Sequence, residues 1–200
     1  MDRRLPMIFG KWAVLLIATF ALSAVLIAPA HAQTRHHISF GLGYAKLLSN
    51  DMKDEFTGID FTNAAHAGLA YRYSLTPEID LSFDSQATAS QDEFAGVKLT
   101  LTNSFVGPGV RLYATMASPR PFVQANVFFV REKAEAEHNG VKVTGSETGA
   151  GFGITGGIDI QMSPLLSLPL TVHYLNAKPA DDVSGLGFNV ALAFNFGGKL

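Results

Sequence analysis

Leu186-Gly187-Phe188-Asn189-Val190-Ala191-Leu192-Ala193-Phe194-Asn195-Phe196 alternates large apolar residues with small ones without a miss. A period of two sends successive side chains to opposite faces of a strand. Leu186, Phe188, Val190, Leu192, Phe194 and Phe196 form one face, and the other holds only Gly, Ala and Asn. A strand bathed by bulk water on one side carries Lys, Glu and Thr there. A large, aromatic face opposite a small, polar one instead suits a barrel wall with lipid outside and a tight lumen inside.

Seven earlier segments read as partners for this strand. Ile38–Leu47 sets Ile38, Phe40, Leu42 and Tyr44 against Ser39, Gly41, Gly43 and Ala45, and Ala65–Leu75 sets Ala67, Leu69, Tyr71 and Tyr73 against His66, Gly68, Ala70 and Arg72. Ile79–Ala89, a fourth strand within Val97–Tyr113, Phe122–Arg131, Ala150–Gln161 and Leu168–Asn176 complete the set. The fourth changes parity: Val97, Leu99 and Leu101 share one face, and Val106, Val110 and Leu112 the other. That change predicts either a β-bulge near Asn103 or an extended loop arm before it. Pro108 lacks a donor for the ladder of a closed sheet. The pattern predicts an all-β fold, an eight-stranded antiparallel up-and-down transmembrane β-barrel.

The connections fall into two kinds. Ser49–Asn63, Gln91–Gly96, Glu135–Thr148 and Ala177–Gly185 carry net charges of −3, −2, −2 and −1. The alternate connections are shorter and contain Pro, as at Thr76-Pro77 and Ser163-Pro164. Such segregation is expected when acidic loops face the cell exterior and short turns face the periplasm. Aromatic residues collect near both ends: Tyr71, Tyr73, Tyr113, Phe122, Phe194 and Phe196 at one, and Tyr44, Phe129, Phe152, Tyr174 and Phe188 at the other. They predict two interfacial girdles, against the bland reading of ordinary strand propensity.

The N-terminus has the form of an export signal. Arg3, Arg4 and Lys11 precede an apolar run from Trp12 to Ala28, and Ala30-His31-Ala32 supplies a small-residue cleavage site. This predicts a cleavable signal peptide over residues 1–32 and one barrel domain over 33–200; an N-terminal membrane helix is the alternative. The composition is 48% hydrophobic with 15 Phe, and only 16% charged, below the quarter usual for soluble domains. The predicted mature chain has 12 basic and 16 acidic residues, a net −4, so nothing points to nucleic acid. The absence of cysteine excludes disulfides and thiolate metal sites.

Phe188-x-Val190-x-Leu192-x-Phe194-x-Phe196 resembles the terminal assembly signal of the OmpA-like and opacity-protein family of eight-stranded outer-membrane barrels. The resemblance covers the whole predicted mature chain. It implies outer-membrane localisation in a Gram-negative-type envelope, recognition by the barrel-assembly machinery during biogenesis, and a structural or surface-interaction role without enzymatic chemistry. Members commonly end at the final aromatic, whereas this chain continues through Gly197-Gly198-Lys199-Leu200.

The chemical motifs are weaker. Gly151-Phe152-Gly153-Ile154-Thr155-Gly156 matches G-x-G-x-x-G, but no βαβ unit surrounds it. His36-His37 has no third metal ligand nearby. His173-Tyr174-Leu175-Asn176 resembles the His-x-Ser-Asn signature of lipid A 3-O-deacylases, another eight-stranded barrel family. That resemblance implies a serine nucleophile at position 175, where this chain has leucine, which cannot attack. No catalytic, cofactor or metal site is predicted. The alternatives are a lipid A deacylase-like outer-membrane hydrolase, disfavoured by Leu175 at the nucleophile position, and a secreted soluble barrel that binds a hydrophobic ligand.

Two sets of residues are candidates for function. Arg72, Asp80, Asp84, Arg111 and Asp159 face the predicted lumen and form an expected ionic network, since isolated buried charges are costly. Pairing Tyr73 with Ile79 across Thr76-Pro77 places Arg72 opposite Asp80. The second set is Lys46, Lys98, Arg131, Lys133 and Lys178 near the outer strand ends. Cations at a headgroup boundary suit lipopolysaccharide phosphates, although long basic side chains also snorkel to water without a partner. Expected partners are outer-membrane lipid, lipopolysaccharide and an extracellular partner reached through the loops.

Overall fold

The computed structural model describes residues 36–48, 53–54, 59–178 and 183–197. The predicted signal peptide lies outside them. Eight long strands close into one ring: β1 (His36–Leu47), β2 (Asn63–Ser74), β3 (Ile79–Phe94), β4 (Val97–Tyr113), β5 (Arg120–His138), β6 (Val141–Ser163), β7 (Leu166–Lys178) and β8 (Val183–Phe196). Each pairs antiparallel with its chain neighbours, and β8 closes on β1 from His36↔Phe196 to Leu47↔Gly185. A two-residue ladder, Lys53–Asp54 with Ile59–Asp60, lies between β1 and β2. Among the described residues no helix is long and apolar enough to cross a membrane.

The alternation read from sequence becomes the wall of the ring. Ile38, Phe40, Leu42, Leu69, Phe83, Val123, Ile154, Val172 and the large residues of β8 point outward and are exposed, as a lipid-facing band requires. Directly paired residues lead from His36 through Tyr73, Leu81, Val110, Ala125, Ile154, Tyr174 and Leu186 back to β1 at Lys46, ten residues further along. A stagger of that size over eight strands tilts them by roughly 40° and leaves an interior that side chains fill.

Four expectations need correction. Gln91–Gly96 and Glu135–Thr148 are not loops: β3 runs to Phe94 and β4 starts at Val97, while β5 runs to His138 and β6 starts at Val141. Each pair is joined by two residues with positive φ, Ala95-Gly96 (51°, 77°) and Asn139-Gly140 (49°, 79°), the geometry of a type I′ hairpin turn. Both hairpins run beyond the apolar band, and residues 91–100 and 135–148 are exposed or half-buried, so the polar charged stretches there read as loops although they remain strand.

Nor is there a bulge near Asn103. The β3–β4 register is continuous from Ile79↔Leu112 to Phe94↔Val97, and among the described residues the barrel's one register shift falls between Gln161 and Ser163. Leu101, Asn103 and Phe105 all point inward, so the change of parity reflects a lumen that turns apolar toward its outer end. Pro108 faces outward in the unbroken β4–β5 register, where the ladder skips Gly107 and Pro108.

Arg72 is not opposite Asp80. Leu75–Glu78 forms a four-residue connection held by Leu75 N–H and Thr76 N–H donating to the Ile79 carbonyl at 2.9 and 3.2 Å. The register is therefore Tyr73↔Leu81, Arg72↔Ser82 and Ser74↔Asp80. A shift of two keeps every side chain on its predicted face. Tyr113 and Phe122, expected in a girdle, instead point inward and pack edge to face at 5.8 Å.

Candidate functional site

The lumen is built in three tiers. At the periplasmic end lies an ionic floor centred on Tyr113. Arg72 Nη1 donates to the Tyr113 hydroxyl at 3.1 Å and lies 3.7 Å from Asp159 Oδ2. The same hydroxyl lies 3.1 Å from Asp80 Oδ2, and Ser74 Oγ donates to Asp80 Oδ1 at 2.7 Å. Arg111 makes no ion pair with an aspartate among the described residues: its Nε donates to Gln124 at 2.7 Å, and its guanidinium stacks 3.7 Å over Phe122. Asp84 is held by Gln124 at 2.6 Å, by Ser82 at 3.0 Å and by Asn126. The five predicted lumen charges thus share one layer, in which Arg72–Asp159 is the one direct Arg–Asp contact among the described residues and Tyr113, Ser74, Ser82, Gln124 and Asn126 join the rest. Arg120 closes the mouth, 3.8 Å over the Tyr113 ring and donating to Pro77 O at 2.6 Å.

Above the floor sits a polar chamber around His66 and His173. Gly41, Gly68, Thr171 and Asn189 also line it, and about 50 Å³ is left unfilled. Among the described residues no three His, Asp or Glu side chains cluster as metal ligands would.

The outer end is an apolar cap. Phe105, Phe128, Val130, Leu175 and Ala177 form one cluster; Ala45, Leu47, Ala64, Leu101 and Val183 form a second, with Phe61 packed on it. Phe61 is held across the mouth because Leu47 N–H donates to the Thr62 carbonyl at 2.7 Å and Asp60 N–H donates to Asp92 at 2.6 Å. Each large buried side chain contributes about 1.5–3 kcal/mol. The lumen is therefore not polar throughout, as its small residues suggested. Leu175, at the position where the deacylase signature has serine, is 5% exposed inside this cap.

The predicted surface cations separate. Lys46, Arg131 and Lys178 are exposed at the upper edge of the apolar band. Lys133 lies two residues beyond Arg131 and ion-pairs with Glu135, which Lys142 Nζ also contacts at 2.8 Å. Those two lysines hold the Glu135 carboxyl below the usual carboxylate range. Lys98 does not lie at the boundary: it is next to the β3–β4 turn and opposite Glu137. Val106, the first large apolar outward residue of β4, is eight residues away, roughly 26 Å along a strand.

Phe188, Val190, Leu192, Phe194 and Phe196, the expected assembly signal, all face outward and are exposed. Phe196 stacks on His36, with ring centroids 5.6 Å apart. The His66–His173 pairing has no counterpart among the sequence expectations, although both residues fall at inward positions of alternating strands. Their separation of 107 positions hides the contact from sequence spacing.

This architecture recurs in solved structures. The chain is similar to Ail, the attachment invasion locus protein of Yersinia pestis in complex with the heparin analogue sucrose octasulfate, with 16% identity, a TM-score of 0.61, and coverage of 82% of this chain and 99% of Ail. It is also similar to Neisserial surface protein A, with 14% identity, a TM-score of 0.62, and coverage of 80% and 97%. At those identities the likeness speaks for the fold. No curated protein sequence matches the chain. The family model for the outer membrane protein beta-barrel domain matches residues 18–196. The chain therefore belongs to the outer membrane protein β-barrel domain family, and its ring of eight antiparallel strands resides in the outer membrane.

Proposed function

We propose that this barrel is non-enzymatic and acts at the cell surface through its outer rim and projecting hairpins, while its lumen serves stability. The observation that carries this reading is the filling of the lumen, with an ionic floor and an apolar cap enclosing about 50 Å³. A general diffusion pore needs an open aqueous path. Leu175 inside the cap argues against deacylase chemistry, since no nucleophile occupies that position.

The proposed contact is with lipopolysaccharide. Lys46, Arg131 and Lys178 are spread around the rim where apolar wall gives way to polar surface, with Lys133 two residues beyond Arg131, and each would be worth about 1 kcal/mol toward a nearby phosphate by analogy with anionic lipid. Ail holds a sulfated polyanion in its solved structure, a ligand class that such a rim also suits. Lys98 belongs instead with the hairpins, which would meet an extracellular partner. Export through residues 1–32 and recognition of the Phe188–Phe196 strand by the assembly machinery complete the reading.

The deciding experiment reconstitutes the barrel in bilayers with and without lipopolysaccharide and records thermal unfolding. Neutralising Lys46, Arg131, Lys133 and Lys178 to Gln should abolish the lipopolysaccharide-dependent rise in Tm, whereas Lys98→Gln should preserve it. An unchanged rise in the fourfold variant rejects the rim as the contact.

A further inference from the structure

Beyond the membrane, β6 presents a stretch of sheet edge that has no neighbouring strand among the described residues. Its ladder with β5 runs out to the His138↔Val141 pair, but its ladder with β7 begins only at Ala150↔Lys178. Val141–Thr148 is therefore bonded on one side alone, and all of it is exposed. Only four residues join β7 to β8, too few to follow an edge of roughly 26 Å and return. His138 and Val141 flank a two-residue turn and exchange both of their hydrogen bonds, and the pairs alternate from there. The N–H and C=O groups of Lys142, Thr144, Ser146 and Thr148 thus point away from β5. Proline or a bulge commonly blunts such an edge. This stretch has no proline, and its register with β5 is unbroken.

The inner face of the same sheet is also unfinished. Three cross-strand rows end on the free edge: Leu99–Ala136–Val143, Leu101–Ala134–Gly145 and Asn103–Glu132–Glu147. The first two are apolar. Val143 is 67% exposed, and a Cβ on Gly145 would meet nothing within 4 Å. Beside Gly145 an apolar cavity of about 280 Å³ lies between Phe61, Leu101 and Ala134, whereas about 150 Å³ is enough to take a benzene ring. The third row sets two carboxylates directly opposite each other. Like charges so placed are destabilising, and they disfavour any added strand that brings no positive charge.

We propose that this edge binds an extended segment of another protein as an added antiparallel strand, with a basic residue opposite Glu147, an aromatic one opposite Gly145 and an apolar one opposite Val143. The backbone groups of Lys142, Thr144, Ser146 and Thr148 supply the affinity, and the alternate side chains supply the selection. The aromatic ring lies over the bare Gly145 backbone, as aromatics do across from edge glycines, and fills the cavity beside it. The basic residue answers Glu132 and Glu147. The intervening positions share the outer face with Lys142, Thr144 and Ser146 and stay polar. A second copy of this edge does not fit, because its one basic residue, Lys142, lies on the outer face opposite Glu137 and cannot reach Glu147. This inference rests on the reading that the projecting hairpins meet an extracellular partner, and it names the chemistry of that partner.

The test refolds the full chain into phosphatidylcholine vesicles, with and without lipopolysaccharide, and titrates the labelled peptide Thr-Arg-Thr-Phe-Thr-Val-Thr by fluorescence anisotropy. Saturable binding is expected below about 1 mM. Bound peptide should slow amide exchange at Lys142, Thr144, Ser146 and Thr148 and leave Val143 and Gly145 unchanged, since their N–H groups already bond to β5. Replacing the peptide's Phe with Ala should weaken binding about tenfold. Thr144→Pro removes one edge donor and no bond to β5, and should weaken binding at least as much. Glu147→Lys should also weaken it, and replacing the peptide's Arg with Glu should then restore it, a rescue that a misfolded barrel cannot give. Heat-modifiable gel mobility reports folding throughout. No binding by wild type up to about 1 mM, or binding indifferent to both Thr144→Pro and the charge exchange, overturns the inference. The lipopolysaccharide-dependent rise in Tm, read on the same vesicles, judges the rim separately.

Discussion

Arg72 reaches Asp159 across the lumen at 3.7 Å and reaches Asp80 only through the Tyr113 hydroxyl. The chain thus binds β2 to β6 directly, and to β3 through a phenol donated by β4. Removing one member of a buried ion pair leaves an uncompensated charge, which costs about 3–5 kcal/mol. Arg72→Ala should lower barrel stability by that order, and Asp159→Ala in the same chain should recover part of it. Asp80→Ala should recover less, because its carboxylate keeps Ser74 and Tyr113 as donors. Urea titration of refolded barrels gives the coupling energies; equal rescue by the two aspartate variants rules out the direct Arg72–Asp159 pairing.

Leu175 gives a second prediction. Placing a serine there recreates the His-x-Ser-Asn signature, but inside the apolar cap with Phe105, Phe128, Val130 and Ala177. Leu175→Ser should yield no lipid A deacylation and should destabilise the barrel by about 2–5 kcal/mol, as large-to-small core substitutions do. Deacylation by this variant would overturn the non-enzymatic reading.

These two sites show where the sequence could be read and where it could not. Outward residues alternate faithfully wherever lipid contacts the wall, so the ring and the faces of Arg72, Asp80, Asp84, Arg111 and Asp159 were legible. Their pairing was not, because a two-residue slip at Leu75–Glu78 changes partners while leaving every face intact. The apolar cap was hidden for another reason. Inward Leu101 and Phe105 read like lipid-facing residues, so the change of lumen chemistry mimicked a change of register. The hairpin tips had one local signal, the Asn139-Gly140 dipeptide favoured in type I′ turns.

Assembly is expected to depend on Phe196 and not on the short tail beyond it. Phe196 pairs with His36 and stacks on its ring at the closing seam of the barrel. Phe196→Ser should reduce the yield of folded barrel in cells, whereas deletion of residues 197–200 should leave that yield unchanged. Similar losses from the two changes would place the end of the functional strand beyond Phe196.

The β5–β6 hairpin is expected to respond to acid independently of the barrel. Lys133 and Lys142 both contact Glu135, and their hydrogen bonds depress its folded-state pKa. A depressed carboxyl favours the folded hairpin at pH values above its unfolded pKa, about 4.3. That contribution is lost as pH falls through the lower folded value. Amide hydrogen exchange at Glu135–Thr144 should therefore quicken below about pH 4, while exchange in the membrane band stays slow. Glu135→Gln should remove this pH dependence and leave heat-modifiable mobility intact. A variant whose hairpin still loosens over the same pH range would assign the acid response to another carboxylate of the projection, Glu132, Glu137 or Glu147 being the neighbours on the same two strands.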